Sequence, residues 1–267
     1  MLKYRVMTGA GLTCGIIAVL LLSGHYWFLK AISVILSLMA ACELCRAGGY
    51  LKHKAFLFGT MAAAIFFALF GSPKLAEIFL LLTFTGAVYL MRHIQNMKNV
   101  PEWVILLAAS VSAYFFGFLT EIRSQTNGFL LLTTVILIPV ITDIGAYFFG
   151  KQFGKHKLAP VISPKKTWEG SVGGTTCAVV LLTLAVWILE MNGLVQVSIG
   201  YIVNYLLLAS CISQFGDLTF STVKRIAGIK DYGTILPGHG GILDRFDSLV
   251  FVIPFTVFVM QRFGQLL

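Results

Sequence analysis

Apolar runs of roughly membrane-crossing length recur along the chain at about 8–25, 28–43, 55–71, 75–91, 103–119, 129–149, 171–190, 200–220 and 248–263, broken by short polar stretches. A helix needs about 20 mostly apolar residues to cross a bilayer, and in lipid it must satisfy its own backbone polar groups, so such runs predict helices. The short alternating segments of a membrane β-barrel are absent. The pattern predicts an all-α, polytopic transmembrane bundle of about nine helices, the first two separated only by Gly24, His25, Tyr26 and Lys30. Met1 to Arg5 ahead of an apolar stretch has the look of a secretory signal. That stretch continues into a second one without a small-residue cleavage site, so a retained helix is expected.

Composition agrees. Of the 267 residues 58% are hydrophobic and 12% charged, with a mean hydropathy of +0.87, whereas a soluble domain carries about a quarter charged residues. The net charge of +9 first points to nucleic acid, but its distribution argues against that partner. With nine spans, one side holds sixteen Lys and Arg and the other only Lys30, Lys74, Arg123 and Arg262. The positive-inside rule makes the crowded side, which includes the N-terminus, cytoplasmic, in the cytoplasmic membrane. Cys42 and Cys45 form a C-x-x-C with no second pair at metal spacing, so the five cysteines read as packing residues.

The chain divides unevenly. Residues 1–128 read as helical scaffold with few ionisable groups and no catalytic grouping. Residues 129–267 gather the chemistry, with two cytoplasmic loops at 150–170 and 225–247. Asp143 lies inside an apolar run, where an ionisable side chain is costly unless paired or wet and is a functional candidate by default. The two loops meet only if the helices between them form an antiparallel pair.

Gly145 to Lys151 fits a G-x-x-x-x-G-K phosphate loop, but Gln152 stands where Ser or Thr is needed and a membrane helix where a strand is needed. Ser163-Pro164 reads as a helix start, with Ser at the cap and Pro at the first position. Lys165, Lys166 and Thr167 would then fall in the first turn, where the dipole disfavours cations unless a polyanion binds. Gly170 and Gly174 form a G-x-x-x-G suited to close helix packing. Asp217, Ser221 and Lys224 share one helix face, with Arg225 beside them. Lys230, Asp231, His239, Gly240 and Gly241 follow, then Asp244-Arg245-Phe246-Asp247 opening the last helix. Carboxylates among lysines and arginines suit Mg²⁺ bridging phosphates, with the cations offsetting charge on a transferred phosphoryl or nucleotidyl group. No Ser-His-Asp order or activated Cys appears, so no covalent protein nucleophile is indicated.

The stretch from Ser221 to Asp247, reading STVKRIAGIKDYGTILPGHGGILDRFD, resembles the defining motif of phosphatidate cytidylyltransferases, also called CDP-diacylglycerol synthases. The resemblance extends through Asp143, Ser163-Pro164-Lys165-Lys166-Thr167, Glu169 and Gly216-Asp217. It implies transfer of CMP from CTP to phosphatidic acid at a membrane, releasing pyrophosphate, by a homodimer. Asp217 and Asp244 become metal ligands for Mg²⁺, with K⁺ as a further cation. Lys165, Lys166, Lys224, Arg225, Lys230 and Arg245 become ligands of the triphosphate and lipid phosphate, while Asp143, Asp231, His239 and Asp247 line the same cavity. One departure stands out: the family carries Glu three residues after the first Asp, and here that position is Phe220.

Overall fold

The computed structural model describes residues 2–72, 76–97, 99–238 and 240–264, so Lys74, Lys98 and His239 lie outside the described residues. Helices α1 (Leu2–Leu22), α2 (Tyr26–Ala47), α3 (Lys54–Phe70), α4 (Ala76–His93) and α5 (Glu102–Phe116) follow the first five apolar runs, and the short α6 (Leu119–Ser124) extends the fifth. Next come α7 (Gly128–Phe153), α8 (Trp168–Met191), α9 (Ile199–Ile226), the single turn α10 (Leu243–Phe246) and α11 (Leu249–Phe263).

The fold is the expected all-α bundle, but the length test is stricter than the run count. Among the described residues six helical segments are long and apolar enough to cross a membrane, Glu102–Ser124 counting as one; Met7–Leu22, Lys54–Phe70 and Leu249–Phe263 are apolar but shorter. The outward faces carry large apolar side chains, among them Phe58, Phe70, Leu81, Phe148 and Met191. Such a surface is stable against lipid tails, and the chain is an integral membrane protein.

Two packing devices hold the half that bears the polar loops. First, α7 and α8 approach closely: a Cβ on Gly174 would sit 2.4 Å from the Thr142 carbonyl oxygen, and one on Gly170 2.7 Å from that of Ala146. The G-x-x-x-G spacing therefore does what it predicts. Second, a polar seam joins α7, α8 and α9 inside the bundle. The Thr142 and Ser210 hydroxyls are 2.8 Å apart, Ser210 donates to Thr175 at 3.2 Å, and the Gln214 amide donates to Thr175 at 2.9 Å. Ser171 donates to the Gln214 amide oxygen at 2.5 Å. Helices in lipid gain little from apolar contact alone, so such hydrogen bonds and close backbones select the arrangement.

The loop between α7 and α8 corrects one expectation. Ser163–Thr167 is a strand, β2, paired antiparallel with β1 (Lys157–Ala159) through Lys157↔Thr167 and Ala159↔Ser163. The helix starts after it, at Trp168, with the Thr167 hydroxyl accepting the Gly170 N–H at 3.2 Å. Pro164 fits because a short hairpin edge needs no N–H there. Gly145 to Lys151 is continuous helix within α7, which removes the phosphate-loop reading.

Candidate active site

Lys165 and Lys166 are successive residues of the strand β2 instead of sharing a helix turn, and both border one cavity. Lys166 forms an ion pair with the Asp217 carboxylate of α9. Asp143 of α7, Lys165, Lys166 and Gln214 border a cavity of about 190 Å³ on this side. Ser221, one turn beyond Asp217, directs its hydroxyl to the Asp217 carboxylate at 3.4 Å.

The second loop folds around two carboxylates. Asp244 Oδ2 accepts the backbone N–H groups of Tyr232 (2.8 Å) and Gly241 (2.9 Å), and Oδ1 accepts the Lys224 ammonium at 2.8 Å. Lys224 also lies 4.0 Å from Asp247 Oδ2 and 5.3 Å from the centre of the Tyr232 ring. Gly240, at φ 85°, packs so tightly that a Cβ would fall 2.9 Å from Asp244 Oδ2. A glycine is the residue that tolerates this backbone and this approach.

The second carboxylate is Glu43, at the end of α2, which the sequence pattern leaves in the scaffold half. It is 2% exposed, and its two oxygens accept the N–H groups of Ile242 at 2.8 Å and Leu243 at 2.7 Å. A Cβ added to Gly241 would meet that carboxylate at 2.5 Å. Glu43 is thus the seat on which the glycine loop and α10 rest. The signal that finds it is the one that finds Asp143: an acid in an apolar run.

Arg225 joins the two loops, its Nε donating to the Ile162 carbonyl at 3.0 Å and its Nη1 to that of Ile229 at 3.3 Å. Lys230, Asp231 and Arg245 are exposed around the rim, Ser163 is half-buried in β2, and Thr167 is buried as the cap of α8. Asp244 and Asp247 do not open one long helix: α10 is a single turn that leads through Asp247 and Ser248 into α11. Phe220, where an acid is expected, is 4% exposed. It lies edge-on to the rings of Tyr232 and Phe251, away from the carboxylates in an apolar seam.

Burial, reinforced by the charges of Asp217 and Asp143, pushes the Asp247 carboxyl well above the usual carboxylate range, against the opposing pull of Lys224. Burial and the charges of Asp247, Asp244 and Glu43 likewise keep the Tyr232 phenol protonated, and it donates to the Phe220 carbonyl at 2.8 Å. The site is therefore rich in negative charge. Among the described residues no three acidic, His or Cys side chains gather closely enough to hold an ion alone. Magnesium commonly takes one or two carboxylates and completes its shell with substrate phosphate and water, so the donors present fit that ion. Asp217 is partly exposed beside Lys166, and Asp244 accepts two backbone N–H groups on Oδ2 and the Lys224 ammonium on Oδ1.

Residues 3–263 match the family described as the cytidylyltransferase family. The chain belongs to this family. A phosphatidate cytidylyltransferase of Staphylococcus aureus (strain COL) is 45% identical over 145 residues, 54% of each chain, and one of Staphylococcus haemolyticus is 42% identical over the same lengths. The chain thus spans about half the length of these curated relatives. A phosphatidate cytidylyltransferase of Bacillus subtilis (strain 168) is 41% identical over 192 residues, 71% of this chain and 68% of that protein. Within this chain the polar groups from α2, α7, β2, α9 and α10 converge at one end of the bundle.

Proposed function

We propose that this protein is a phosphatidate cytidylyltransferase, making CDP-diacylglycerol and pyrophosphate from CTP and phosphatidic acid on the cytoplasmic side of the inner membrane. The observation that carries the reading is the meeting of the Lys166–Asp217 pair with the Lys224–Asp244–Asp247 cluster in a member of this family.

A phosphate monoester has its second ionisation near pH 6, so phosphatidate supplies its own anionic oxygen at about neutral pH. That oxygen attacks the α-phosphorus of CTP, the bond to the β-phosphate breaks, and pyrophosphate leaves with the electron pair. The protein needs no nucleophile of its own; it aligns two polyanions and offsets their charge. Lys166 and Lys165 approach from the hairpin, while Arg245 and Lys230 stand at the rim for phosphate oxygens. Lys224, buried and paired, holds Asp244 in place. Asp217 and Asp244 would hold Mg²⁺, which neutralises and orients triphosphate oxygens when bound; K⁺ is a further cation for this acidic site. A homodimer is the proposed assembly.

The test is purified protein in mixed micelles with CTP, Mg²⁺ and phosphatidate, followed by lipid product analysis. CDP-diacylglycerol with equimolar pyrophosphate is expected. A lipid panel in which phosphatidate is inert and another phosphate or alcohol lipid reacts would replace the acceptor. Anion flux in vesicles without nucleotide turnover would overturn the enzymatic reading.

A further inference from the structure

Beside the charged cleft lies a larger space of opposite character. An apolar chamber of about 480 Å³, within the roughly 300–1,000 Å³ range of ligand sites, separates α1 from α2, α7 and α11. Among the described residues Thr8 contributes the one polar side chain of its wall, and Gly11 and Gly15 face it from α1. A Cβ added to either glycine meets nothing within 4 Å, so the space is open there.

The catalytic loop forms the end of this chamber. Leu236, Ile242 and Phe246 line it, while the same loop turns Asp244 towards Lys224 and is held from behind by Glu43. Thr8 donates to the Pro237 carbonyl at 3.1 Å, tying α1 to the loop. One loop therefore has a charged face and an apolar face a residue or two apart. The matching ligand has phosphate at one end and hydrocarbon at the other.

We infer that the chamber holds an acyl chain of the lipid acceptor, and that Gly11 and Gly15 set how much chain it admits. This rests on the proposed phosphatidate reaction. Gly11 and Gly15 are themselves exposed, so the chamber opens towards the surroundings of the bundle, and an apolar space does not draw in water. In a bilayer a lipid chain is the material at hand. Moving it from lipid into the chamber gains no hydrophobic energy, because both surroundings are equally apolar. Shape alone then discriminates, and filling the space from α1 changes selectivity by chain size.

The experiment is the double variant Gly11→Leu/Gly15→Leu in the full-length protein, assayed with CTP on dihexanoyl and dioleoyl phosphatidate. The kcat/KM ratio of the long to the short substrate is expected to fall roughly tenfold, the scale of steric discrimination in an apolar pocket, with short-chain turnover retained. Equal loss on both lipids, or no change on either, overturns the inference. A second arm does not depend on turnover: phosphatidate with a diazirine on its chain should label peptides of residues 7–19 in the wild type and not in the variant. If the wild type transfers no CMP, the proposed reaction fails, yet the labelling still decides the chamber. No labelling, with a variant that changes mass in detergent, assigns the space to a second copy and overturns the inference.

Discussion

Replacing Glu43 tests whether the far end of the chain depends on α2. The Glu43 carboxylate accepts two backbone N–H groups, from Ile242 and Leu243. A hydrogen bond to a charged acceptor is worth about 1.5–3 kcal/mol. In Glu43→Gln the amide oxygen still serves one N–H, while the other meets an NH₂ donor. The loss is then about one such bond, and since about 1.4 kcal/mol is a factor of ten, the seated loop becomes roughly ten- to hundredfold less populated. Glu43→Ala loses both, about 3–6 kcal/mol before water enters, a large share of typical domain stability. The glutamine variant is therefore the informative one. The measurement is kcat at saturating CTP and phosphatidate, with amide exchange at Ile242 and Leu243 and a melting curve for folding. A folded Glu43→Gln protein with wild-type kcat and unchanged protection at those two amides would refute the argument.

Asp217→Asn and Asp244→Asn should each abolish CDP-diacylglycerol formation, and a chelator should do so reversibly in the wild type, with Mg²⁺ restoring turnover; full activity in both variants would sink the metal assignment. The raised Asp247 carboxyl binds its proton more tightly in the folded than in the unfolded chain, so its contribution to stability is present at low pH and is lost as pH rises above the ordinary carboxylate range, near 4. Asp247→Asn removes that loss, and its melting temperature should gain on the wild type as pH rises above the ordinary carboxylate range; parallel curves would contradict the shift. Arg225→Ala frees the hairpin from the end of α9 and should speed limited proteolysis within residues 154–163, whereas an unchanged cleavage rate would show that the Ile162 contact does not hold the loop.

The helices were legible because membrane length and continuous apolarity are strong, local signals, and Asp143 stood out against such a run. The hairpin was not. β2 has five residues, one of them Pro164, and no alternation of apolar side chains to mark a strand, while Ser163-Pro164 imitates a helix start. The true cap, Thr167, is visible only once β2 pairs with β1. Glu43 carries the same signal as Asp143, but its role was hidden for a different reason: its partners are backbone N–H groups 199 and 200 residues away, which have no residue-type signature. Phe220 shows the reverse limit, since a motif position can be counted in sequence while its direction, here into an apolar seam, belongs to the fold.

The polar seam inside the bundle has a consequence for what the site is made of. Ser210, Gln214, Asp217, Ser221 and Lys224 run along one stripe of α9 at intervals of three or four residues. The lower part of the stripe bonds to Thr142, Thr175 and Ser171, and the upper part meets Lys166 and Asp244. The hydroxyls deep in the membrane act as an index mark for the helix. If α9 slid by one turn, about 5.4 Å, Gln214 or Ser221 would stand where Asp217 now faces Lys166, and the chemistry would change without any change in the catalytic residues. Thr142 and Ser210, buried inside the bundle, select which letter of the stripe is presented to substrate.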